Sequence, residues 1–364
     1  EADIEKIIND AYDFDAPLVD LGSIKILELF QGPTLAFKDF GARFMGRLMG
    51  HFLQDSEDEV NILVATSGDT GSAVAHGFLN VEGINVTILY PKGKVSDIQE
   101  KQFTTLGANI TAIEIDGTFD DCQRIVKTAF LDKELNEKLV LSSANSINIA
   151  RLIPQSFYYF WAYKQLEDKS LLLYFSIPSG NFGNLTACLF AQAMGLPIQK
   201  IIAATNDNNI VPDYLESGIF QARPSVSTIS NAMDVGDPSN FARIMDIYSN
   251  DWEVIKEDIV GYHYNDQQTA KCIQEVYQQH DYLLCPHTAV GYLAMKDFLK
   301  VHPEPSNSIV LSTAHPVKFG EIVEPLIGKA VEIPERLKSI LVNDKKSISM
   351  NKDFSMFKEW LLNK

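Results

Sequence analysis

The chain has 364 residues, 46% of them hydrophobic and 22% charged, with a formal net charge of −17 at pH 7. This composition is ordinary for a packed globular protein, and at roughly 150 residues per domain the length favours two domains. The acidic balance argues against nucleic acid or an anionic membrane as the main partner, so an anionic substrate needs a locally basic pocket. No apolar run approaches the ~20 residues of a membrane span.

The four cysteines, at positions 122, 188, 272 and 285, show neither paired metal-type spacing nor a disulfide framework. We therefore expect reduced thiols, a cytoplasmic protein and no metal site. The first residues, EADIEKIIND, are acidic and helical in pattern, so they do not form a signal peptide.

Apolar runs alternate with helical patterns along the chain, which is typical of a mostly parallel sheet flanked by helices. From Phe37 onward, aromatic and leucine residues recur at three- and four-residue spacing and predict an amphipathic helix. The elements expected next are strand 61–66, helix 72–80, strand 84–90, helix 95–107, strand 109–115, helix 119–131, strand 139–143 and helix 149–166. After the polar stretch 166–170, a second series comprises strand 171–180, a helix after Gly183, strands 200–205 and 308–315, and two short helices beyond Pro334.

The stretch SIPSGNFGN, residues 176–184, ends a predicted strand in a loop with two glycines, and a helix follows. Small residues let several backbone N–H groups converge on one anion, and the helix N-terminus adds a favourable field. Steric reasons alone also explain many Gly-rich turns of this kind. The loop lacks the Walker lysine and the glycine spacing of dinucleotide sites.

The stretch ATSGDTGSA, residues 65–73, is a second strand-to-helix turn. Ser67, Thr70 and Ser72 can donate hydrogen bonds to an anion, while two glycines permit close approach. A simple helix N-cap would explain one hydroxyl but not three. Two anion-binding turns on separate sheets predict a ligand pair held between two domains.

Lys38 stands at the start of the helix that begins near Phe37, where exposed backbone N–H groups oppose a positive charge. That helix end and burial beside Phe37 and Phe40 would both destabilise the ammonium, although a solvated lysine is the plain alternative. A neutral lysine amine is a nucleophile suited to an imine with an aldehyde. Together with a phosphate-binding loop, it suggests pyridoxal phosphate.

Seven motifs resemble, in order, those of threonine synthases, pyridoxal-phosphate enzymes of the tryptophan-synthase-β fold group. They are GPTLAFKDFGARF, ATSGDTGSA, VSDIQEKQFTTLG, NSINIARLIPQ, PSGNFGN, SNAMDVGDPSNF and STAHPVKF, and they run from about Leu27 to Phe319. The resemblance implies an α/β fold of type II, with two open, mostly parallel sheets flanked by helices. It also implies conversion of O-phospho-L-homoserine and water to L-threonine and phosphate, by β,γ-elimination and water addition, in a monomer or homodimer.

The resemblance further implies a role for individual residues. Lys38 would form the imine with pyridoxal 5'-phosphate and act as the catalytic base, and Thr313 would face the pyridine nitrogen. The cofactor phosphate would be held by Gly180, Asn181, Phe182, Gly183 and Asn184. The substrate α-carboxylate would be held by Ser67, Gly68, Asp69, Thr70 and Gly71. The substrate phosphate would be held by Asn145, Ser146 and Arg151, for the last of which a surface ion pair is the plain alternative.

We expect residues 1–56 and 167–330 to form a large cofactor-binding domain, residues 57–166 a small mobile α/β domain, and residues 331–364 a C-terminal helical extension. Members of the family usually carry a further N-terminal segment, so we expect a trimmed chain or an unusually short member. In LLCPHTAVGY, Cys285 stands where an acidic residue is frequent, which leaves the role of that loop open.

Three other functions fit parts of this pattern. A serine or threonine dehydratase shares the fold and the lysine, but it has no need for a phosphate site at Asn145 and Arg151. A threonine-synthase-like phospho-lyase would eliminate phosphate without making threonine. An inactive pyridoxal-phosphate-binding protein would retain its pocket, although the joint retention of Lys38, both loops and Thr313 counts against it.

Overall fold

The computed structural model describes residues 2–56, 59–146 and 148–364. The first residue of the expected small domain, at position 57, and one residue of the NSINIARLIPQ motif, at position 147, lie outside the described residues. Contacts divide the chain into two compact units. The first unit comprises Glu1–Asp13, Gly32–Arg151 and Ile333–Lys364, and the second comprises Phe14–Gln31 and Leu152–Glu332.

Strands and helices alternate over most of the described residues. The strands are β1 (Leu18–Leu21), β2 (Ile24–Glu28), β3 (Val60–Ala65), β4 (Ile84–Pro91), β5 (Ile110–Asp116), β6 (Val140–Ser143), β7 (Leu172–Pro178), β8 (Ile198–Thr205), β9 (Ile259–His263), β10 (Ser306–Ser312) and β11 (Ile348–Asn351). The helices are α1 (Ala2–Ala11), α2 (Lys38–Leu53), α3 (Asp69–Phe78), α4 (Asp97–Thr104), α5 (Phe119–Leu131), α6 (Lys133–Lys138), α7 (Ile149–Leu152), α8 (Phe157–Lys164), α9 (Gly183–Ala193), α10 (Ile210–Ser217), α11 (Phe241–Ile247), α12 (Trp252–Asp258), α13 (Asp266–His280), α14 (Pro286–Val301), α15 (Gly320–Ile327), α16 (Glu335–Leu341) and α17 (Phe354–Leu362). None of these helices is long and apolar enough to cross a membrane.

The first unit is built on a parallel five-stranded sheet in the order β11-β5-β4-β3-β6. Every residue of β3 is buried, as expected for a parallel strand that is covered on both faces. Ile62 and Val64 join the hydrophobic cluster on one face, whereas Leu63 and Ala65 join the cluster on the other. Ligands of such sheets bind at the carboxyl ends of the strands, which is where the turn after β3 lies.

The second unit contains a six-stranded sheet in the order β1-β2-β10-β7-β8-β9. Only the β1–β2 pair is antiparallel, and the other neighbours are parallel. Within the sheet Val310 of β10 pairs with Ser176 of β7, so the loop after β7 and the residues after β10 leave the same edge. The expected fold class, two open, mostly parallel sheets flanked by helices, is confirmed.

The compact units differ in extent from the expected domains. Helix α2 belongs to the same unit as the five-stranded sheet, and α2 packs against α3. The C-terminal segment also belongs there, because β11 pairs with β5 at the edge of that sheet and α17 packs near α5 through Phe357. The mobility of a small domain stays a prediction.

Two local expectations differ from the structure. The single helix expected over 149–166 is divided into α7, a 3-10 turn at Ile153–Ser156 and α8, because Pro154 lacks the N–H that a continuous helix requires. Strands β1, β2, β9 and β11, which have only four or five residues, were not expected, since runs that short carry little periodicity.

Helices α2 and α3 touch through glycines. A Cβ atom at Gly46 would lie 2.2 Å from the carbonyl oxygen of Gly77, and a Cβ at Gly77 would lie 2.7 Å from the backbone of Ala42. The opposing atoms belong to helix backbone and cannot rotate away. Glycine at both positions is therefore what permits this close approach.

We expect Gly46→Ala to lower the free energy of unfolding by about 1–3 kcal/mol, because the added methyl group must push two helix backbones apart. The matched control is Gly320→Ala in α15, where a Cβ would approach no closer than 3.4 Å to the Glu324 side chain. Urea denaturation of both variants and the parent measures the difference. Alanine favours helix over glycine by about 0.5–1 kcal/mol, so a stabilised Gly46→Ala protein would contradict the close contact.

Candidate active site

Lys38 is the first residue of α2, as the sequence predicts. Its side chain is 21% exposed, and its Nζ atom lies 5.6 Å from the centre of the Phe37 ring. Nζ also lies 3.9 Å from Oδ2 of Asp69, the first residue of α3. The structure therefore brings the lysine to the ATSGDTGSA turn.

The backbone before Lys38 is held by Asp39. Its fully buried carboxylate accepts hydrogen bonds from the backbone N of Thr34, at 2.9 Å, and from Thr34 Oγ1, at 2.7 Å. A Cβ at Gly32 would lie 2.5 Å from Asp39 Oδ2, so the glycine leaves room for this carboxylate. Asp39 thus closes the Gly-Pro-Thr turn against the helix N-terminus, where a negative charge is favourable.

The ATSGDTGSA turn is organised by Thr66, which sequence reasoning did not assign. Its Oγ1 accepts hydrogen bonds from the backbone N of Gly68, at 3.0 Å, and of Gly71, at 2.8 Å, and it donates to the Gly68 carbonyl oxygen. Gly68 has φ 150°, and a Cβ there would lie 2.7 Å from the Gln99 amide. With these bonds α3 begins at residue 69, earlier than the expected residue 72. The sequence pattern that could have predicted this role of Thr66 is a hydroxyl residue directly after a buried strand.

Asp69 is buried and held in one orientation. Its Oδ1 accepts a hydrogen bond of 2.8 Å from Gln99 Nε2, and Gln99 Oε1 accepts one of 2.9 Å from Ser96 Oγ. The other carboxylate oxygen is the one that faces Lys38. The helix that carries Gln99, α4, therefore fixes a negative charge beside the lysine amine.

The three hydroxyls of this turn have different surroundings. Ser67 is exposed and Thr70 is half-buried. Ser72 is fully buried, and its hydroxyl donates to the carbonyl oxygen of Gln99 at 3.2 Å. Ser67 and Thr70 are therefore the hydroxyls better placed to meet a ligand.

Arg151 lies in α7 and is only 3% exposed. Its Nη1 donates to the carbonyl oxygen of Ala144, and a Cβ at Gly41 of α2 would lie 3.1 Å from its Nε. Burial lowers the pKa of the guanidinium from 12.5 to about 10, and the negative charge of Asp39 opposes that shift. The group stays cationic at neutral pH, and its burial excludes a surface ion pair.

Asn145 and Ser146, both half-buried, follow β6 in the same unit. Asn145 Nδ2 donates to the carbonyl oxygen of Ala65, the last residue of β3, at 3.2 Å. Together with the Lys38–Asp69 and Gly41–Arg151 contacts, this bond assembles the lysine, the turn and the Asn145–Arg151 segment around the first turns of α2 and the end of β3.

The second unit holds the remaining candidate residues. Phe182 adopts a left-handed conformation, with φ 58°, and α9 begins at Gly183. Asn181 Oδ1 accepts hydrogen bonds from the backbone N of Ser239, at 2.6 Å, and from Ser239 Oγ, at 2.9 Å. Asn240 Nδ2 donates to the Asn181 carbonyl oxygen at 3.0 Å. The SNAMDVGDPSNF motif thus braces the PSGNFGN loop, and Thr313 follows β10 at the same sheet edge.

Asn184, in the first turn of α9, shows that this loop fits an anionic group. Its Oδ1 accepts hydrogen bonds from the hydroxyls of Tyr158 and of Tyr159, which fixes the orientation of the amide. Among the described residues, its buried Nδ2 has no hydrogen-bond partner. A buried donor at a helix N-terminus is suited to a phosphate oxygen.

Cys285 serves as the N-cap of α14. Its Sγ accepts a hydrogen bond from the backbone N of Thr288, the role that a carboxylate oxygen often plays at this position. Burial raises the pKa of the thiol, which keeps it protonated. Cys285 therefore caps the helix as a protonated thiol and leaves no thiolate in this loop.

Comparisons with known proteins identify the family. The model of the pyridoxal-phosphate dependent enzymes matches residues 20–313, and the model of the threonine synthase C-terminal region matches residues 288–360. Threonine synthase of Haemophilus influenzae is 45% identical over 365 residues, covering 100% of this chain and 84% of the relative.

Two solved structures of this family are similar to the chain throughout. The crystal structure of threonine synthase from Escherichia coli matches with a TM-score of 0.90 and 42% identity, over 99% of this chain and 83% of that one. The X-ray structure of pyridoxal-phosphate-bound threonine synthase from Brucella melitensis matches with a TM-score of 0.94 and 34% identity, over 100% of this chain and 84% of that one. The expected resemblance and the expected cofactor are confirmed, and the chain belongs to the threonine synthase family of pyridoxal-phosphate dependent enzymes.

Proposed function

We propose that this chain converts O-phospho-L-homoserine and water to L-threonine and phosphate, with pyridoxal phosphate as cofactor. The observation that carries the proposal is the 3.9 Å distance between Lys38 Nζ and Asp69 Oδ2, which puts the Lys38 side chain at the turn assigned to an amino-acid carboxylate. Relatives that are 45% and 43% identical bear the name threonine synthase. Neither the dehydratase nor the phospho-lyase alternative has comparable support.

The cofactor would be held at three points. Lys38 would bind its aldehyde carbon, the Gly180–Asn184 loop with the Asn184 amide donor would bind its phosphate, and Thr313 would face its ring nitrogen. When bound, pyridoxal phosphate accepts the electron pair that remains at the substrate Cα after a proton leaves. A threonine hydroxyl cannot keep the ring nitrogen protonated as a carboxylate would. The cofactor is then a weaker electron acceptor, and removal of the proton depends more on the base, Lys38.

The substrate carboxylate would bind at Ser67, Gly68, Asp69, Thr70 and Gly71. We assign the contacts to the hydroxyls of Ser67 and Thr70 and to backbone N–H groups at the start of α3, where the helix field favours an anion. The negatively charged side chain of Asp69 would repel the substrate carboxylate, so it is not one of the contacts. Its contribution is to orient the Lys38 amine, and Gln99 keeps it in place for that task.

The substrate phosphate would bind at Asn145, Ser146 and Arg151. A guanidinium offers charge-assisted hydrogen bonds in a fixed geometry, and these are stronger than neutral ones. In a chain with a net charge of −17, a buried cation supplies the local positive potential that a phosphorylated substrate needs. Because the phosphate is also the leaving group, this site would act on both binding and turnover.

Lys38 would carry the proton transfers. As a free amine it removes the Cα proton, and it is the best-placed group to take the Cβ proton as phosphate leaves Cγ. A proton then adds at Cγ, water adds its oxygen at Cβ to give the threonine hydroxyl, and a proton returns to Cα. Product formation thus balances one water taken up against one phosphate released.

We further infer a cytoplasmic enzyme that acts as a monomer or homodimer on a small molecule and does not bind nucleic acid or membranes. All four cysteines are buried free thiols, which supports a reducing compartment. The negative net charge supports the absence of polyanionic partners.

Borohydride reduction of the cofactor-loaded protein should attach the pyridoxyl label to Lys38, as peptide mapping by mass spectrometry would show. Lys38→Ala should keep the fold while losing turnover and the absorption band of the bound cofactor, because no other amine replaces it. Lys133→Ala is the matched control, since Lys133 also begins a helix but is exposed. A label on any other lysine removes Lys38 from its assigned role.

Arg151→Leu should lower kcat/KM for O-phospho-L-homoserine by about 100-fold, because a buried charge-assisted contact to the phosphate is lost. Binding of unphosphorylated homoserine should change little, and so should the absorbance of the bound cofactor. Arg124→Leu provides the control, since that guanidinium is half exposed and pairs with Asp121 on the surface of α5. Equal losses for homoserine and its phosphate would take Arg151 out of the phosphate site.

A further inference from the structure

His287 is a buried residue to which the proposed reaction assigns no task. It is the second residue of α14, within the LLCPHTAVGY stretch, and it is 3% exposed. Its Nε2 lies 3.1 Å from the backbone N of Ala232 and accepts a hydrogen bond from it. The side chain therefore reaches the 3-10 turn Asn231–Met233.

That turn supports the PSGNFGN loop directly. A Cβ at Gly180 would lie 2.7 Å from Met233 Cα and 2.9 Å from the Ala232 carbonyl oxygen. Gly180 has no positive φ, so the glycine is needed here for the close approach of the two backbones. Any displacement of Ala232 would be transmitted to Gly180 without an intervening flexible side chain.

The far side of the same turn is anchored by Asp234. Its carboxylate accepts hydrogen bonds from the backbone N of Thr228, at 3.0 Å, from Thr228 Oγ1, at 2.7 Å, and from Asn206 Nδ2, at 2.9 Å. The turn is thus held on one side by a fixed carboxylate and on the other by the imidazole of His287.

The bond to Ala232 defines the chemical form of His287. A backbone N–H can only donate, so Nε2 must carry a lone pair and the ring proton must sit on Nδ1. Ala232 is itself exposed, so a residue that lacks an acceptor at the position of Nε2 would lose this hydrogen bond and release the turn from α14.

We propose that His287 is a positioning residue for the cofactor-phosphate loop, acting through the Asn231–Met233 turn on which Gly180 rests. This inference rests on the proposed assignment of residues 180–184 to the cofactor phosphate. Its consequence is specific: His287 should affect affinity for the phosphate group of the cofactor, and the remainder of the cofactor should bind as before.

Three substitutions separate this role from simple packing. In His287→Gln, the amide oxygen takes the place of Nε2 and can still accept from Ala232. In His287→Asn, the side chain is polar but too short to reach that N–H, and in His287→Leu the volume is kept without an acceptor. If the leucine variant fails to fold, the asparagine variant carries the comparison.

The measurement is the dissociation constant of pyridoxal phosphate and of pyridoxal, which lacks the phosphate, for the full chain after removal of cofactor. Absorbance titration gives both constants for each variant. The dissociation constant of pyridoxal divided by that of pyridoxal phosphate isolates the contribution of the phosphate group to binding. His287→Leu and His287→Asn should reduce this ratio by up to about tenfold, the effect of losing one hydrogen bond that positions the loop. His287→Gln should retain it, and pyridoxal affinity should be similar in all variants.

Gly180→Ala reports independently on the loop, because its methyl group would collide with the Met233 backbone. If Gly180→Ala lowers the ratio while His287→Leu and His287→Asn keep it, the positioning role is overturned and the loop assignment stands. If His287→Gln lowers the ratio as much as His287→Leu does, the role of His287 as a hydrogen-bond acceptor is overturned. If Gly180→Ala also keeps the ratio, the loop assignment fails and this inference falls with it.

Discussion

The contact between Gly46 and Gly77 holds together the two helices that begin with the candidate residues Lys38 and Asp69. Each glycine stands eight residues after the first residue of its helix, so the two helix starts are equally far along the chain from this contact. Lys38 and Asp69 are those first residues, and their side chains meet at 3.9 Å. The close backbone contact thus converts two separate sequence motifs into one amine–carboxylate pair.

The start of α2 also brings a negative charge, on Asp39, close to the positive charge of Arg151. Asp39, one residue after Lys38, closes the Gly-Pro-Thr turn, and its charge helps to keep the buried Arg151 protonated. Asp39 and Arg151 are both buried, so their charges are weakly screened and a change at one is expected to alter the other.

The sequence allowed the sheets and the candidate residues to be anticipated, since a buried strand followed by a glycine-rich turn is a local pattern. Lys38 is at its expected helix start, and Arg151 is on its expected segment. The supporting residues were not anticipated, because Thr66, Gln99 and His287 act through contacts that their own surroundings in the sequence do not encode. Short edge strands were missed for a related reason: β11 is specified by its pairing with β5, over two hundred residues away in the chain.

The central claim is that this chain adds water to a carbon skeleton from which it has removed phosphate. The most direct measurement is to supply O-phospho-L-homoserine in water enriched in ¹⁸O and to analyse the amino acids and keto acids by mass spectrometry. The account predicts L-threonine with one ¹⁸O atom in its side-chain hydroxyl, in amounts equal to the phosphate released. Release of phosphate with a keto acid and no threonine would contradict it.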